Sequence, residues 1–584
     1  MLTFMEVHLY YTLPVLGILL ALHRPFDCAQ ERLKYLVLCG VAFSVAVPWD
    51  SYIVLNRVWR YCPKCVTMVI GYLPLEKYMS FVIMTLITAS FTNLVMRWHL
   101  PAFYLKSTSP RLHSMCIQYI PILALATLGV KSWSAAIPDT PFFYGACILW
   151  LATPVLAVLW YGAGEYICRR WRSVLVSIIF PTLYSCWVDH IALGAGTWTL
   201  SERTSTHRLL GSTLPLEEVM LFLLVNTILV FASCAIDRAY AVVHLYRPGP
   251  PNELRCTVVN LLKAFCLSDQ QLDPKPLDDL QHIWRILKDG SASFYTASAV
   301  FPSNARQDLG VLYAFCRATD DLADNEQVPV DQRKRQLEVV REFVNDLFTQ
   351  KSNCASDMDW AAYEDHLPNE CLASFRSLVR LRHVLEVDNV LELLDGYTWD
   401  LDRRPVLTET DLIRYSECVA SSVGEMCTRI LMNSSNNKDP TTLGWTINRA
   451  RDMGLVLQFT NIARDIVTDS QQLNRSYLPT DWLNDNEIDL IKAGKARQLG
   501  DQRLRQLSLR LVHMVDGVNV RARRGINKLP PDCQGGVRAA CAVYCAIGKA
   551  LKDHDGYPMR AHVKRFKRAW ITLQSVYNTP LTPK

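Results

Sequence analysis

The chain has 584 residues, half of them hydrophobic and a fifth charged, with a formal net charge of +6. Its length exceeds a single ordinary domain, and so oily a composition excludes an ordinary soluble enzyme. The modest charge is spread over mixed-sign surfaces without a basic run, which excludes nucleic acid as a partner.

Seven apolar stretches come first, at 4–22, 35–54, 80–98, 117–130, 142–161, 173–193 and 218–236. Most approach the roughly 20 residues that cross a bilayer core. After Arg238 none recurs. The first has no basic region ahead of it and carries Glu6 and His8 before its apolar run, which predicts a retained span and not a cleaved signal peptide. Nineteen cysteines are scattered without a pattern, several within predicted spans, which predicts reduced thiols in an intracellular setting and no disulfide framework. Cys62-Pro-Lys-Cys65 is the one close pair, and no second pair or histidines follow at zinc-site spacing. Lys and Arg counts in the connecting loops place the C-terminal half in the cytosol.

The apolar half contains a repeat. Leu73-Pro-Leu-Glu76 recurs as Leu214-Pro-Leu-Glu217, each opening an apolar span, and Asp50 and Trp59 recur as Asp189 and Trp198. The offset is 139 residues at the Asp and Trp and 141 at the Pro-Leu-Glu. Matched landmarks in one order predict a duplicated three-helix unit plus one additional helix. Both glutamates then enter the membrane from the same side and can face one site. Carboxylates at a membrane boundary are costly unless they serve a pathway or a reaction, which makes Glu76, Glu217 and Glu218 candidate catalytic groups. The alternative is that they cap helix N-termini, where a carboxylate meets the positive end of the helix dipole.

Tyr246-Arg-Pro-Gly-Pro-Pro-Asn252 cannot continue a helix, which predicts a linker over 241–280 between a seven-span domain at 1–240 and a second domain at 281–584. The second domain has three-four apolar spacing and almost no strand-like alternation, as in Leu309-Gly-Val-Leu-Tyr-Ala-Phe-Cys316, and reads as all-helical. The whole chain is thus predicted to be all-α, a polytopic membrane bundle followed by a helical domain.

Asp320-Asp-Leu-Ala-Asp324 puts Asp320 and Asp324 one turn apart on one helix face, with Arg317 a turn earlier. Gln458, Asn461, Asp465 and Asp469 line up at steps of three, four and four. Magnesium prefers oxygen ligands and is commonly held by one or two carboxylates plus substrate phosphates, so two such stripes can clamp a diphosphate through bridging metals. Acidic residues at four-residue spacing are also common on solvated faces. An amphipathic surface helix, however, has no need of Gln458 and Asn461 aligned with its acids.

On these motifs residues 285–575 resemble the squalene and phytoene synthase family. The likeness extends to Ser291-Ala-Ser-Phe294, Tyr313, Arg317, Val423-Gly424 and Arg475-Ser-Tyr-Leu-Pro479. It implies an isoprenoid synthase fold. It also implies magnesium, with manganese as a substitute, on Asp320, Asp324, Asn461, Asp465 and Asp469, and prenyl diphosphate at Ser291, Phe294, Tyr313, Arg317, Gln458, Asn461, Arg464, Arg475 and Tyr477. Two departures are Tyr415-Ser-Glu-Cys-Val-Ala-Ser421, which leaves Glu417 unassigned, and the polar stretch Ser352 to Pro368, expected as a surface insertion. The first half resembles the small integral-membrane lycopene cyclases through Pro215-Leu-Glu217-Glu218 and, with Lys77 in place of a second acid, Pro74-Leu-Glu76. The order of the halves is similar to the fungal bifunctional lycopene cyclase/phytoene synthase family.

That resemblance implies head-to-head condensation of two geranylgeranyl diphosphates to phytoene in the second half. In the first it implies closure of lycopene end groups to β-ionone rings, giving γ- or β-carotene, with Glu217 or Glu218 as acid and Glu76 as partner. It implies a lipid bilayer and a phytoene desaturase as partners. No Gly-x-Gly-x-x-Gly fingerprint predicts a flavin or nicotinamide site. The competing reading is a squalene-synthase-like enzyme anchored by inert spans, and a rhodopsin-like receptor is disfavoured because Val219 to Ile236 contains no lysine for a Schiff base.

Overall fold

The computed structural model describes residues 2–106, 110–246, 254–349, 358–433, 439–558 and 563–577. Pro248, Pro250 and Pro251 of the expected linker, residues 352–357 of the expected insertion and residues 578–584 lie outside them. Two compact units divide after Leu277.

In unit 1 seven helices are long and apolar enough to cross a membrane: α1 (Phe4–Phe26), α2 (Ala29–Leu55), α3 (Leu75–Met96), α4 (Arg111–Ala135), α5 (Phe143–Arg169), α6 (Trp171–Gly194) and α7 (Leu216–Tyr246). Several begin earlier or run further than their apolar stretches suggested. α3 starts at the Pro-Leu-Glu motif and not at 80, because Pro74 supplies the extended residue at which a helix begins. α8 (Leu254–Cys266) completes the unit before α9 (Pro274–Gly290).

The duplication is visible in the backbone. α1–α3 and α5–α7 are the two copies, with α4 between them. Each copy runs helix, strand, short hairpin and helix: β1 (Trp59–Tyr61), β2 (Val69–Ile70) and β3 (Leu73–Pro74) against β4 (Trp198–Leu200), β5 (Leu209–Leu210) and β6 (Leu214–Pro215). β1 pairs antiparallel with β4, Trp59 opposite Leu200 and Tyr61 opposite Trp198, so the repeats meet at their tryptophans. The offset grows by one residue between β1 and β2 against β4 and β5, and by one more in the hairpin turns, which join Ile70 to Leu73 in one copy and Leu210 to Leu214 in the other. Cys62 and Cys65 are joined by a disulfide, which corrects the expectation of wholly unpaired thiols. The Cys65 N–H donates to the Cys62 carbonyl at 2.9 Å, and that tight turn brings the two Cα atoms to 5.1 Å, within bonding range.

Unit 2 is all-helical, with α10 (Ala292–Ala297), α11 (Ser303–Asp324), α12 (Val330–Thr349), α13 (Asn369–Leu378), α14 (Val387–Leu401), α15 (Glu409–Ser416), α16 (Ser422–Asn433), α17 (Pro440–Leu473), α18 (Asp485–Lys492), α19 (Asp501–Ile526), α20 (Pro531–Lys552) and α21 (Arg565–Tyr577). α17 starts at Asp439, whose carboxylate caps Thr441 and Thr442, and stops at Asn474 in the left-handed region. Its apolar stripe of Val456, Phe459, Ala463, Ile466 and Val467 packs into a core with Leu504, Leu507, Leu511 and Val515 of α19. That burial leaves Gln458, Asn461, Asp465 and Asp469 on the half-buried opposite side. α11 does the same, burying Leu312, Phe315 and Leu322 while Tyr313, Asp320 and Asp324 stay partly open.

Within the expected insertion, Met358, Tyr363 and Leu367 are buried, and Tyr363 meets Phe343 edge-on at 5.6 Å. Residues 358–368 thus lie at the surface, pinned to the core by these three side chains.

The Val423-Gly424 motif marks a close helix crossing. A Cβ on Gly424 would stand 2.7 Å from the Ala450 carbonyl, and one on Gly454 2.6 Å from that of Ala420. Backbone on both sides cannot yield. Gly454→Ala is therefore expected to destabilise unit 2 by about 1–3 kcal/mol, read as a lowered thermal midpoint.

Candidate active sites

In unit 2 the first acidic motif leaves α11 beside a buried cation. Arg475 Nη1 lies 3.3 Å from Asp324 Oδ1 and 3.3 Å from Asp400 Oδ1 on α14. Tyr415 and Tyr477 both donate to the Asp400 carboxylate, at 2.8 and 3.1 Å, and their rings stack at 5.1 Å. Arg317 pairs with Asp321 at 2.6 Å and with Asp320 at 3.5 Å. Burial, reinforced by the Asp324 carboxylate, pushes Asp320 up to about 7, and burial against the pull of Arg475 pushes Asp400 up to about 6. The Asp320 side chain keeps 35% of its surface open, so a cation could reach the crowded acids from that side.

On α17 Arg464 forms an ion pair with Asp465, and Asn461 Oδ1 is buried with no hydrogen-bond partner. The Tyr557 hydroxyl donates to the Arg464 carbonyl at 2.7 Å and accepts from the Ile466 N–H at 3.1 Å, fixing the turn that carries Asp465. Tyr544 on α20 lies within electrostatic range of both Tyr313 and Arg464, which ties the two motif helices to one neighbourhood. Phe294 stacks on Tyr313 at 5.5 Å, while the Ser291 hydroxyl caps α10 by accepting from the Phe294 N–H. Gln458 is half-buried on the same side of α17. Glu417 pairs with Arg414 at 3.7 Å, a role outside the motifs.

Among the described residues no three His, Cys, Asp or Glu side chains converge as a protein cage for a metal ion. Carboxylates spaced one turn apart on α11 and α17, together with an orphaned amide oxygen, instead fit a cation that completes its shell from substrate and water. Asp320, Asp324, Asn461, Asp465 and Asp469 are the residues that could hold it.

In unit 1 the repeated glutamates occupy equivalent environments. Glu76 Oε1 accepts from the Thr67 N–H at 2.8 Å and its hydroxyl at 2.6 Å, and Glu217 Oε1 accepts from the Thr206 N–H and hydroxyl, both at 2.7 Å. In each carboxylate the second oxygen is buried without a partner. Each glutamate thus clamps the strand-to-strand loop of its own repeat, β1 to β2 or β4 to β5, with one oxygen. Glu217 lines a cavity of about 370 Å³ whose wall includes Phe142, Leu149 and Met220. A mostly apolar pocket whose wall includes a carboxyl side chain is the arrangement expected of a site for an apolar substrate.

The next position is where the repeats diverge. Lys77 Nζ pairs with Asp50 at 3.2 Å, whereas Glu218 accepts from the Tyr144 hydroxyl and lies within electrostatic range of Asp189 and Lys77. Trp198 Nε1 donates to Asp189 at 3.0 Å, and Trp59 Nε1 donates to the Tyr144 hydroxyl at 3.2 Å. The sequence landmarks Asp50, Trp59, Asp189 and Trp198 therefore converge on one buried polar cluster between the repeats. Removing the cation in Lys77→Met leaves Asp50, 4% exposed, without its partner. A loss of about 3 kcal/mol is expected, measured by unfolding in mixed detergent micelles.

Sequence reasoning missed Tyr144, Asp400, Tyr415 and Tyr557 as members of these clusters. Tyr144 had a faint signal, because it is the counterpart of Phe4: the Phe4 N–H donates to the Cys65 carbonyl and the Tyr144 N–H to that of Thr204, at 2.8 and 3.2 Å. Asp400 had none, since a single acid in Tyr397-Thr-Trp-Asp400 stands apart from either motif.

A squalene/phytoene synthase family model matches residues 287–568. The bifunctional lycopene cyclase/phytoene synthase of Phycomyces blakesleeanus is 56% identical over 99% of this chain and 96% of its own. That of Blakeslea trispora is 54% identical over the same shares. A crystal structure of a dehydrosqualene synthase with ligand covers 51% of this chain and 95% of its own at 22% identity, with a TM-score of 0.39. Near-complete mutual coverage at such identity includes both repeats as well as both acidic motifs, and the chain belongs to the bifunctional lycopene cyclase/phytoene synthases.

Proposed function

We propose that unit 2 joins two geranylgeranyl diphosphates head to head to give phytoene, and that unit 1 closes β-ionone rings on lycopene. The observation that carries this is the pairing of two acidic motif helices in one unit with a duplicated, glutamate-clamped apolar bundle in the other. The seven spans hold unit 1 in an intracellular membrane with the synthase unit on the cytosolic side, and a separate phytoene desaturase supplies the lycopene.

In unit 2 Arg317, Arg464 and Arg475 place positive charge where diphosphate leaves. Magnesium, or manganese in its place, would supply further neutralisation of that charge when held by Asp320, Asp324, Asn461, Asp465 and Asp469. Departure of diphosphate leaves an allylic cation, which the second prenyl chain attacks with loss of a proton to give a cyclopropyl diphosphate. A second ionisation, rearrangement and proton loss yield phytoene. Phe294 and Tyr313 exclude water that would trap the cation.

In unit 1 ring closure is redox-neutral: a proton adds to the terminal double bond, the ring closes on the resulting cation, and a neighbouring carbon gives up a proton. Glu217 lines the apolar cavity, and its carboxyl group is the proton donor of this scheme. The bond from Tyr144 to Glu218 holds the opening turn of α7, and Glu76 occupies the place of Glu217 in the other repeat.

The test is expression of the full chain in a host that makes geranylgeranyl diphosphate, with and without a phytoene desaturase. Phytoene alone, then cyclic carotenes once the desaturase is present, is the expected result. Lycopene that accumulates uncyclised would leave unit 1 an inert anchor.

A further inference from the structure

Helix α21 presents an apolar face that the rest of unit 2 does not cover. Phe566 is 91% exposed, Trp570 59%, Leu573 50% and Tyr577 39%. At about 100° per residue these four fall within an arc of about 60°. Val576, 7% exposed, turns away from that arc and packs near Gly535 of α20. The helix is therefore seated on α20 by one side and shows aromatic rings on another. The family match ends at residue 568, so most of α21 lies beyond the shared synthase domain.

Its charges are arranged around the same stripe. Lys567 and Arg565 flank it on either side, Lys564 precedes it, all three are exposed, and the helix contains no acidic residue. Phe, Trp, Leu and Tyr on one face with cations at its borders is the composition of a helix that lies in a bilayer interface. The rings enter the headgroup boundary while Lys and Arg stay with anionic headgroups. A protein partner of matching shape would need acidic borders around an apolar groove, whereas an anionic membrane supplies both features without a special shape.

We propose that α21 is an interfacial helix that lays the synthase unit on an anionic membrane surface, with Phe566, Trp570 and Leu573 inserted and Lys564, Arg565 and Lys567 on the lipid headgroups. This goes beyond anchoring by the spans, and it rests on the reading that unit 1 is inserted in a membrane. A unit held in this way takes up a long-chain prenyl substrate, and releases a hydrocarbon product, at a lipid surface.

The test uses the full chain in three settings: nanodiscs of phosphatidylcholine, nanodiscs with phosphatidylserine added, and detergent micelles. Backbone hydrogen exchange of residues 563–577 is the readout. Exchange at least about tenfold slower in the anionic discs than in the neutral ones is expected, with the protection lost at high salt. The double variant F566E/W570E should lose the protection while α17 exchanges as before, which separates a failed contact from a failed fold. Equal exchange in all three settings overturns the proposal. Protection in micelles that grows with protein concentration also overturns it and assigns the stripe to a second copy of the chain. Release of the whole chain from membranes by alkaline carbonate would instead overturn the prior reading that unit 1 is inserted.

Discussion

Asp320→Ala is expected to abolish phytoene formation while leaving cyclisation of supplied lycopene within about twofold of the parent chain. Asp320 sits on the open side of a group of three carboxylates, with Asp324 one turn along α11 and Asp400 reached through Arg475. Arg317 pairs more closely with Asp321 than with Asp320, so the protein leaves this carboxylate short of positive charge. Charge that a diphosphate-bound cation would balance is what the variant removes. Because ionisation is the step that builds charge, a fall of at least about 10³-fold in turnover, about 4 kcal/mol of barrier, is expected. The readout is phytoene per enzyme from geranylgeranyl diphosphate in membranes, beside conversion of lycopene by the same preparation. Loss of both activities would mean that the units share a site. Asp400→Asn is the companion variant, because its amide oxygen can still accept from one of the two tyrosines, which donate to different carboxylate oxygens, while the charge facing Arg475 is gone. It is expected to fold and to lose about tenfold in turnover.

The elements that the residues announced were those with a period. The spans were legible because a bilayer sets a minimum apolar length, and α11 and α17 because acids at one-turn spacing opposed apolar stripes that had to be buried. The repeat was legible because Asp, Trp and Pro-Leu-Glu kept their order. What stayed hidden depended on contacts between distant segments. Asp400 joins the first motif only through Arg475, some seventy residues later. Tyr144 meets Glu218 only because α5 packs against α7 within the second copy, bringing together residues that stand far apart in sequence. The disulfide at Cys62 follows from a local turn that composition does not record. The need for glycine at 454 lies likewise in a distant segment, the approaching carbonyl of Ala420.

The same divergence between repeats separates chemistry from support in the cyclase. If Glu217 is the proton donor, Glu217→Gln keeps the volume and the bonds from Thr206 but has no proton to give, and cyclisation falls by at least about 10³-fold. Phytoene synthesis should be unchanged. Glu218→Gln tests the neighbouring residue by the same substitution with the opposite expectation. The amide oxygen still accepts from Tyr144, so a carboxylate that serves only to hold the start of α7 is replaced at a cost of about tenfold or less. Glu218→Ala removes that acceptor and leaves a buried tyrosine hydroxyl without one, so cyclisation and thermal stability should fall together. Lycopene conversion is measured in membranes for all three variants. If Glu218→Gln is as inactive as Glu217→Gln while its stability is intact, the proton comes from the buried cluster of Glu218 and Asp189 and not from the cavity wall. In the first repeat Lys77 stands where the second has Glu218 and pairs with Asp50, so that copy has no second acid beside Glu76. Glu76→Gln is therefore expected to slow cyclisation less than Glu217→Gln, and equal losses would mean that the two repeats contribute alike.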